Sequence, residues 1–218
     1  MKNKLFILLI VASSLAACKQ DNIKLSSLTS LNVTNAVVNG ATLTLNTSAN
    51  TVGNNGYGQF ALLAGQTKVD LFDDNELSYA YYQNIIATVN SSYYSLYLTG
   101  TDSAHVQSVL VKENYQNYTD SVAGVRFIDL SPGSNPVSVD IQGNANGSEV
   151  GNMAYLSYTT FKKYSATAAN STYNFEFRDA ATGTLIASYS LTTPTFKNVT
   201  LALAGLESNA TIIQINEY

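Results

Sequence analysis

The sequence predicts an all-β protein with two tandem antiparallel β-sandwich domains behind a cleaved leader. Charged residues make up only 12% of the chain, about half the usual share. Ser, Thr, Asn and Tyr, which suit strands and turns, take their place. Apolar and polar residues alternate with a period of two in many short segments. The second half of the chain repeats the pattern of the first at a distance of about 100 residues, which indicates two copies of one β-domain.

Residues 1–17 are predicted to be a signal peptide. Lys2 and Lys4 form a positive start, and the apolar run from Leu5 to Leu15 follows it. That run of roughly eleven residues is shorter than the about 20 residues that cross a bilayer. We therefore expect a removable leader.

The run ends in Leu15-Ala16-Ala17-Cys18, which resembles the lipobox of bacterial lipoproteins. The resemblance implies cleavage before Cys18 and attachment of lipid to this cysteine, so that the membrane is a partner through the anchor. The alternative is a chance cysteine behind an ordinary signal peptide. Cys18 is the only cysteine of the chain, which excludes an internal disulfide.

Residues 18–28 are predicted to be a lipid-anchored tether. Its polar stretch, residues 19–24, resembles the surface-export signals of Bacteroidetes lipoproteins. The predicted location is the outer membrane, with the protein facing the periplasm or the cell surface.

The two predicted domains span residues 29–118 and 123–218. Residues 94–100 match 199–205, and each segment is an alternating strand that ends in glycine. Residues 67–73 likewise match 173–179, and both end in aspartate. The connection from Asn114 to Gly124, which we call the linker, is short and contains two tyrosines, so we expect the domains to touch.

Turn residues predict how neighbouring strands connect. Asn39-Gly40 lies between two apolar segments and predicts a two-residue hairpin. The segment Ala180–Gly183 predicts a second strand connection. Asp129 precedes Ser131-Pro132-Gly133 and can cap that turn with its carboxylate.

Two segments of the second half carry a family resemblance: Val125-Arg126-Phe127-Ile128-Asp129-Leu130-Ser131-Pro132 and Val137-Ser138-Val139-Asp140. They resemble the opening of domain-of-unknown-function family 4397. The resemblance implies an envelope or secreted protein, often with tandem domains, folded as Ig-like or transthyretin-like sandwiches. The family has no catalytic motif that could be carried over to this chain.

Charge and motifs exclude several function classes. The formal net charge is −4, and no basic cluster exceeds Lys162-Lys163, so nucleic acid is not an expected partner. The chain has no Gly-x-Ser-x-Gly elbow and no phosphate-binding glycine loop. His105 is the only histidine, which excludes a multi-histidine zinc site. Its neighbours Asp102 and Ser103 are too close in sequence for triad geometry.

We therefore predict no enzyme, no catalytic residue, no metal site and no cofactor. A pair of carboxylates suited to glycoside hydrolysis cannot be recognised from spacing, and nothing selects one. The acidic cluster Asp70, Asp73, Asp74 and Glu76 invites a calcium site. We interpret it instead as a solvent-facing strand residue followed by a turn.

Tyrosine dominates the aromatic residues, with fifteen Tyr and no Trp. Tyr79, Tyr81, Tyr93 and Tyr97 are the candidate ligand surface, where exposed rings can stack on sugars or anchor a protein. Tyr97 should point away from the core of the first domain, because Leu96 and Leu98 point into it. The alternative is that tyrosine simply favours strands.

Ser103 and Ser121 are candidate O-glycosylation sites. Each follows an aspartate and precedes an apolar residue, which resembles the acceptor motif of Bacteroidetes. The predicted function is a non-catalytic cell-envelope lipoprotein that acts as a surface binding or interaction module of unknown ligand, with a glycan or an envelope protein as the candidate partners. The alternative is a carbohydrate-binding or carbohydrate-active accessory protein that uses exposed tyrosines and carboxylates.

Overall fold

The computed structural model describes residues 27–46 and 49–217. Cys18 and the predicted signal peptide lie outside the described residues. Within them, no helix is long and apolar enough to cross a membrane. The described elements are β1 (Leu28–Val37), β2 (Leu43–Leu45), β3 (Thr51–Val52), β4 (Gly56–Leu63), β5 (Gly65–Asp73), β6 (Glu76–Thr88), β7 (Tyr93–Gly100), β8 (Val106–Lys112), β9 (Val122–Leu130), β10 (Val137–Ile141), β11 (Val150–Met153), β12 (Lys162–Ser165), β13 (Thr172–Asp179), β14 (Leu185–Thr192), β15 (Asn198–Ala204), the 3₁₀ helix η1 (Glu207–Asn209) and β16 (Thr211–Asn216).

The strands form four four-stranded sheets. Sheet A has the order β4-β1-β7-β8 and sheet B the order β3-β2-β5-β6. Sheet C, β12-β9-β15-β16, and sheet D, β11-β10-β13-β14, repeat these orders with every strand number raised by eight. The all-β class and the two tandem sandwiches predicted from the sequence are thereby confirmed.

Each sandwich contains one parallel pair among otherwise antiparallel strands. In the first, β1 runs parallel to β7, with Ser30 opposite Tyr93 and Val37 opposite Gly100. In the second, β9 runs parallel to β15. Parallel neighbours need a long connection, and here all the intervening strands of the domain provide it. The first strand of each domain is thus held in the middle of its sheet.

The two predicted turns had different outcomes. A turn forms at Asn39, which has a φ of 53°, but β1 belongs to sheet A and β2 to sheet B. The predicted Asn39-Gly40 hairpin is therefore wrong, because the turn carries the chain across the sandwich instead of pairing its flanking strands. The turn at Ala180–Gly183 does join the paired strands β13 and β14. Gly183 lies there at a φ of 72°.

Each sandwich encloses its own apolar core. The inward faces of sheets A and B supply the first core, which includes Leu31, Leu71 and Leu96. The second core lies between sheets C and D. There the ring of Phe127 contacts Phe175 at 5.2 Å and Phe177 at 5.8 Å between centroids. These edge-to-face contacts fix the spacing of the two sheets.

A third apolar cluster lies between the two domains. It is formed by the outward faces of sheets A and C, and its buried members are Ala36, Tyr97, Val111, Ile128, Leu130, Ala202, Ala204, Ile213 and Ile215. As a result β15 is buried along its whole length, and β7 from its second residue onward. The four sheets are therefore stacked in the order B-A-C-D, and the domains touch as the short linker predicted.

Asp129 is a buried carboxyl at the end of β9. Its Oδ1 accepts a hydrogen bond of 2.9 Å from the Ser131 backbone N–H, which confirms the predicted cap. Its Oδ2 accepts a bond of 2.9 Å from the Ser134 hydroxyl. Burial nevertheless raises the pKa of Asp129 to about 6, against the opposing effect of these two bonds.

This raised pKa predicts a pH dependence of stability. In the unfolded chain the carboxyl ionises near pH 4, whereas in the folded protein it keeps its proton up to about pH 6. The free energy of unfolding should therefore fall by about 3 kcal/mol as pH rises between these values. Asp129→Asn should remove this slope, because the amide does not ionise: its oxygen can accept from the Ser131 N–H and its NH2 group can donate to the Ser134 hydroxyl oxygen. Urea denaturation at several pH values measures both proteins, and an unchanged slope in the variant would contradict the assignment.

Candidate functional site

Tyr79 and Tyr81 share one face of β6, as their spacing predicts, but that face belongs to the core. Their rings meet edge to face at 5.9 Å between centroids. Tyr81 is buried, and its hydroxyl accepts a hydrogen bond from the Ala41 backbone N–H. Tyr79 packs against the same core and donates a hydrogen bond to the Ser103 carbonyl. The expectation that these two rings form an exposed surface is therefore wrong.

Tyr97 points away from the core of the first domain, as predicted, yet only 1% of it is exposed. Its face of sheet A is covered by sheet C, so the expected exposure is wrong. Tyr93 alone of the four predicted tyrosines is exposed. Its ring contacts that of Tyr115 at 5.5 Å between centroids. The four tyrosines consequently do not form one binding surface.

The remaining sequence candidates lie in loops. Ser121 is exposed and Ser103 is half-buried, and their glycosylation stays a prediction. His105 is a loop histidine whose Nδ1 lies 2.8 Å from Asp102 Oδ1. Its side chain is 74% exposed, so this pair is in contact with water. Within the described residues, no three His, Cys, Asp or Glu side chains are grouped so as to hold a metal ion.

Arg126 is the centre of a buried polar network between the domains. It lies on the face of β9 that is turned toward the first domain, and its side chain is 3% exposed. Two of its nitrogens donate to the two carboxylate oxygens of Glu113, at 2.8 Å and 2.5 Å. Its Nε donates to the Thr200 hydroxyl at 2.8 Å. The second domain is thus bonded to the end of the first through a bidentate ion pair.

Glu217 is the second carboxylate of this network, and its side chain is fully buried. It accepts hydrogen bonds from Asn32 at 3.1 Å, from the Tyr115 hydroxyl at 2.6 Å and from the Thr200 hydroxyl at 2.8 Å. These donors come from the first strand, the linker and the second domain. Glu217 therefore connects three separate parts of the chain.

Burial fixes the protonation states of the neighbouring groups. It raises the pKa of Tyr97 and, assisted by Glu217 and Glu113, that of Tyr115. For Arg126 burial alone would lower the pKa, but Tyr97, Glu113 and Glu217 outweigh it and raise the value. The two tyrosines are therefore neutral and the guanidinium is charged at neutral pH. Their hydroxyls act only as donors and acceptors of hydrogen bonds.

An open groove of about 380 Å³ lies beside this network, where the two domains meet. We call it the interdomain groove. Its lining combines aromatic rings, amides, hydroxyls and two lysines: Val111, Lys112, Asn114, Gln116, Tyr118, Arg126, Tyr158, Thr159, Thr160, Phe161 and Lys163. Linker residues form one wall and the segment before β12 forms the other.

The rings of the groove are held in defined positions. The guanidinium of Arg126 lies over the Phe161 ring, with Cζ 4.6 Å from the ring centroid. The Nζ of Lys163 lies 5.6 Å from the centroid of the Tyr118 ring. Tyr158 is 45% exposed and is the most accessible ring of the lining. Both lysine and arginine contacts are of the cation–π type.

Glycine at position 124 allows the linker to lie this close. A Cβ built on Gly124 would come within 2.2 Å of the Tyr118 hydroxyl oxygen, so a larger residue would displace that ring. The linker is also fixed by the Asn198 amide, which donates to the Gln116 carbonyl at 3.0 Å. The opposite wall is attached to β9, since the Thr159 N–H donates to the Phe127 carbonyl at 2.9 Å.

Sequence reasoning missed Tyr118, Tyr158 and Phe161. It searched for exposed rings on alternating strands, whereas these three lie in segments without alternation. The available signal was the density of aromatic residues in two non-strand segments, 115–118 and 155–161. Strand periodicity does not predict that these two segments lie side by side, because the path of a loop depends on the fold around it.

Comparison with solved structures yields likenesses of low similarity. No family model and no curated protein matches the chain. A family 26 carbohydrate-binding module from Eubacterium rectale, crystallised in complex with maltoheptaose, is similar with a TM-score of 0.24 and 12% sequence identity. The similarity covers 85% of this chain and 95% of that chain.

The buried network predicts a large effect of removing its cation. Arg126→Met should lower the free energy of unfolding by about 3–5 kcal/mol, because two buried carboxylates lose their counter-charge. Lys162→Met is the control. It removes an ion pair with Glu149 whose lysine is 56% exposed, and it should cost at most about 1 kcal/mol.

Urea denaturation of both variants provides the measurement. Adding Glu113→Gln to Arg126→Met should recover part of the loss, because one unpaired charge disappears. If Arg126→Met costs no more than the control, the network does not stabilise the domain contact.

Proposed function

We propose that the protein is a non-catalytic cell-envelope lipoprotein, anchored through Cys18, that binds a ligand in the interdomain groove. The observation that supports this most is the accessible ring of Tyr158, which lines the groove together with Tyr118 and Phe161. The base of the groove is held by Arg126, which packs against Phe161. The anchor rests on the sequence Leu15–Cys18. Outer-membrane location and membership of domain-of-unknown-function family 4397 are parts of the same proposal and rest on the sequence resemblances.

The chemistry of the groove supports recognition. Its guanidinium is already occupied by Glu113 and Thr200, so it positions the Phe161 ring rather than a reacting group. The other polar groups of the lining are amides, hydroxyls and ammonium groups. Such groups orient a ligand by hydrogen bonds, while the rings cover its apolar face.

Carbohydrate is the ligand class that this lining favours. A sugar offers an apolar ring face for Tyr158 and hydroxyl groups for the amides of Asn114 and Gln116. The volume of about 380 Å³ is within the range of small-molecule sites. An envelope protein that inserts one aromatic or polar side chain into the groove is the second candidate.

Ligand binding is tested by truncating the accessible ring. Tyr158→Ala should weaken the binding of a glycan found on an array by about tenfold or more, because a ring that anchors a ligand contributes more than about 1 kcal/mol. Its melting temperature should change little, since the ring is half exposed. The control Leu185→Ala alters a side chain of similar exposure outside the groove. Equal loss in both variants, or none in Tyr158→Ala, would contradict the groove as the site.

The anchor is tested separately. Cells that express the chain are fed a labelled fatty acid, and the protein is recovered from membranes and from the soluble fraction. Cys18→Ala should abolish the label and either release the protein or leave its precursor uncleaved. A labelled, membrane-bound Cys18→Ala protein would refute the lipoprotein proposal.

A further inference from the structure

The described chain begins at one end of the first sandwich, which we call the anchor end. Ser27 is fixed there, since its carbonyl accepts a hydrogen bond of 2.8 Å from the Ala64 backbone N–H. Only residues 19–26 separate it from Cys18. Even fully extended, this segment spans at most about 30 Å. If Cys18 carries lipid, as the proposed function holds, the anchor end is the part of the first domain held closest to the bilayer.

The second domain presents its equivalent end on the same side. In the first domain the Ser91 N–H donates to the Leu28 carbonyl, and in the second the Phe196 N–H donates to the Val122 carbonyl. The linker contacts both ends, because the Glu113 N–H donates to the Tyr93 carbonyl and Gln116 accepts from Asn198. The loops before β7 and β15 therefore lie at one common end of the molecule.

Exposed apolar side chains are found at this end, in the loop before β7 and at the adjacent ends of β1 and β4. Leu28 and Leu63 are paired across β1 and β4 and are 50% and 60% exposed. Val89 is 53% exposed and precedes Asn90, whose side chain accepts a hydrogen bond from the Leu28 N–H. These three residues form one apolar patch on the first domain.

Phe196 is the counterpart on the second domain. It is 51% exposed and has a φ of 64°, in the left-handed region that bulky residues rarely adopt. The equivalent position of the first domain is Ser91, with a φ of 55°. The second domain thus holds an aromatic ring outward at a position where the first carries a small polar residue.

Charge distinguishes the anchor end from the opposite end. Lys112 pairs with the start of β7, Lys163 lies opposite Gly124, and Lys197 directly precedes β15. Lys163 lies 3.9 Å from the exposed Asp120. The opposite end also exposes Leu77, Leu185 and Leu206, but its loops carry acidic residues: Asp74, Glu76, Asp102 and Glu207. Among residues 27–46 and 49–217, the anchor end alone combines exposed apolar groups with lysines.

We propose that the anchor end is a docking surface for the bilayer that carries the lipid anchor. The ring of Phe196 and the patch of Leu28, Leu63 and Val89 enter the headgroup region, and the lysines contact anionic headgroups. The acidic end then points away from the membrane. The anchored protein is therefore held in one orientation and does not rotate freely on its tether.

The absence of tryptophan from the sequence allows a direct test. Phe196→Trp and, as the matched control, Leu206→Trp each place one tryptophan at an exposed apolar position, at opposite ends. The full lipidated chains are reconstituted into vesicles of phosphatidylethanolamine and phosphatidylglycerol that contain brominated lipid. The fluorescence of the Phe196→Trp chain should be quenched and its emission shifted to the blue, whereas the Leu206→Trp control should behave as in lipid-free buffer.

Two further arms separate this proposal from the lipid anchor itself. Mass spectrometry of the same samples reports whether Cys18 is acylated. In the unacylated Cys18→Ala chain, Phe196→Trp should still show salt-sensitive quenching at high vesicle concentration, weakened several-fold by Lys112→Gln with Lys197→Gln. If the acylated Phe196→Trp chain is unquenched, or quenched no more than the Leu206→Trp control, the docking surface alone is overturned. Absent acylation would overturn the anchor, and the Cys18→Ala arm then decides the docking surface.

Discussion

The face-to-face packing of sheets A and C is the constraint on which the rest of the structure depends. It buries β15 and nearly all of β7 on both faces. The outward positions of these strands accordingly carry apolar residues, or hydroxyls such as those of Thr99 and Thr200, which donate to the Leu130 carbonyl and to Glu217. Most of the contact is apolar and non-directional. The Arg126 network lies within it and is directional, since the bonds from Arg126 to Glu113 and from Asn32 to Glu217 cross between the domains and are formed in only one relative placement. Buried ion pairs contribute little net stability against an apolar replacement, but breaking one is costly. We therefore infer that the network determines how the two domains are placed relative to each other and adds little to the strength of their contact.

The groove follows from this placement. Its linker wall is held by Asn198, its opposite wall is attached to β9, and the Phe161 ring rests on Arg126. Tyr118 of the linker wall contacts Lys163 of the second domain, and the two walls face each other only when the domains are joined. A preformed site loses less conformational entropy on binding than a flexible one. This makes the domain contact, and not either sandwich alone, the structure that can offer a binding site.

The strand periodicity and the repeat predicted the fold correctly because both reflect local burial. They predicted which face of β7 carries Tyr97, but alternation does not tell what covers that face. The Asn39-Gly40 turn was predicted from local chemistry that is present, whereas the pairing of its flanking strands is decided by the sandwich. Arg126 carried a usable signal, since a charge inside the apolar strand Val125–Leu130 needs a partner. Its contact Glu217 lies 91 residues away, and no spacing rule connects them.

The two halves have kept one topology while their surfaces diverged. At the matched position of β7 and β15 the first domain has Tyr97 and the second has Ala202, and both lie in the cluster between the domains. A large side chain on one sheet beside small ones on the other allows close packing, which two tyrosines facing each other would hinder. The loop before the same strands diverged in the opposite sense, with Ser91 in the first domain and Phe196 in the second. A repeat with identical copies would have presented the same surface twice. Divergence at equivalent positions instead produced one joined face, one groove and one end that combines apolar and basic side chains.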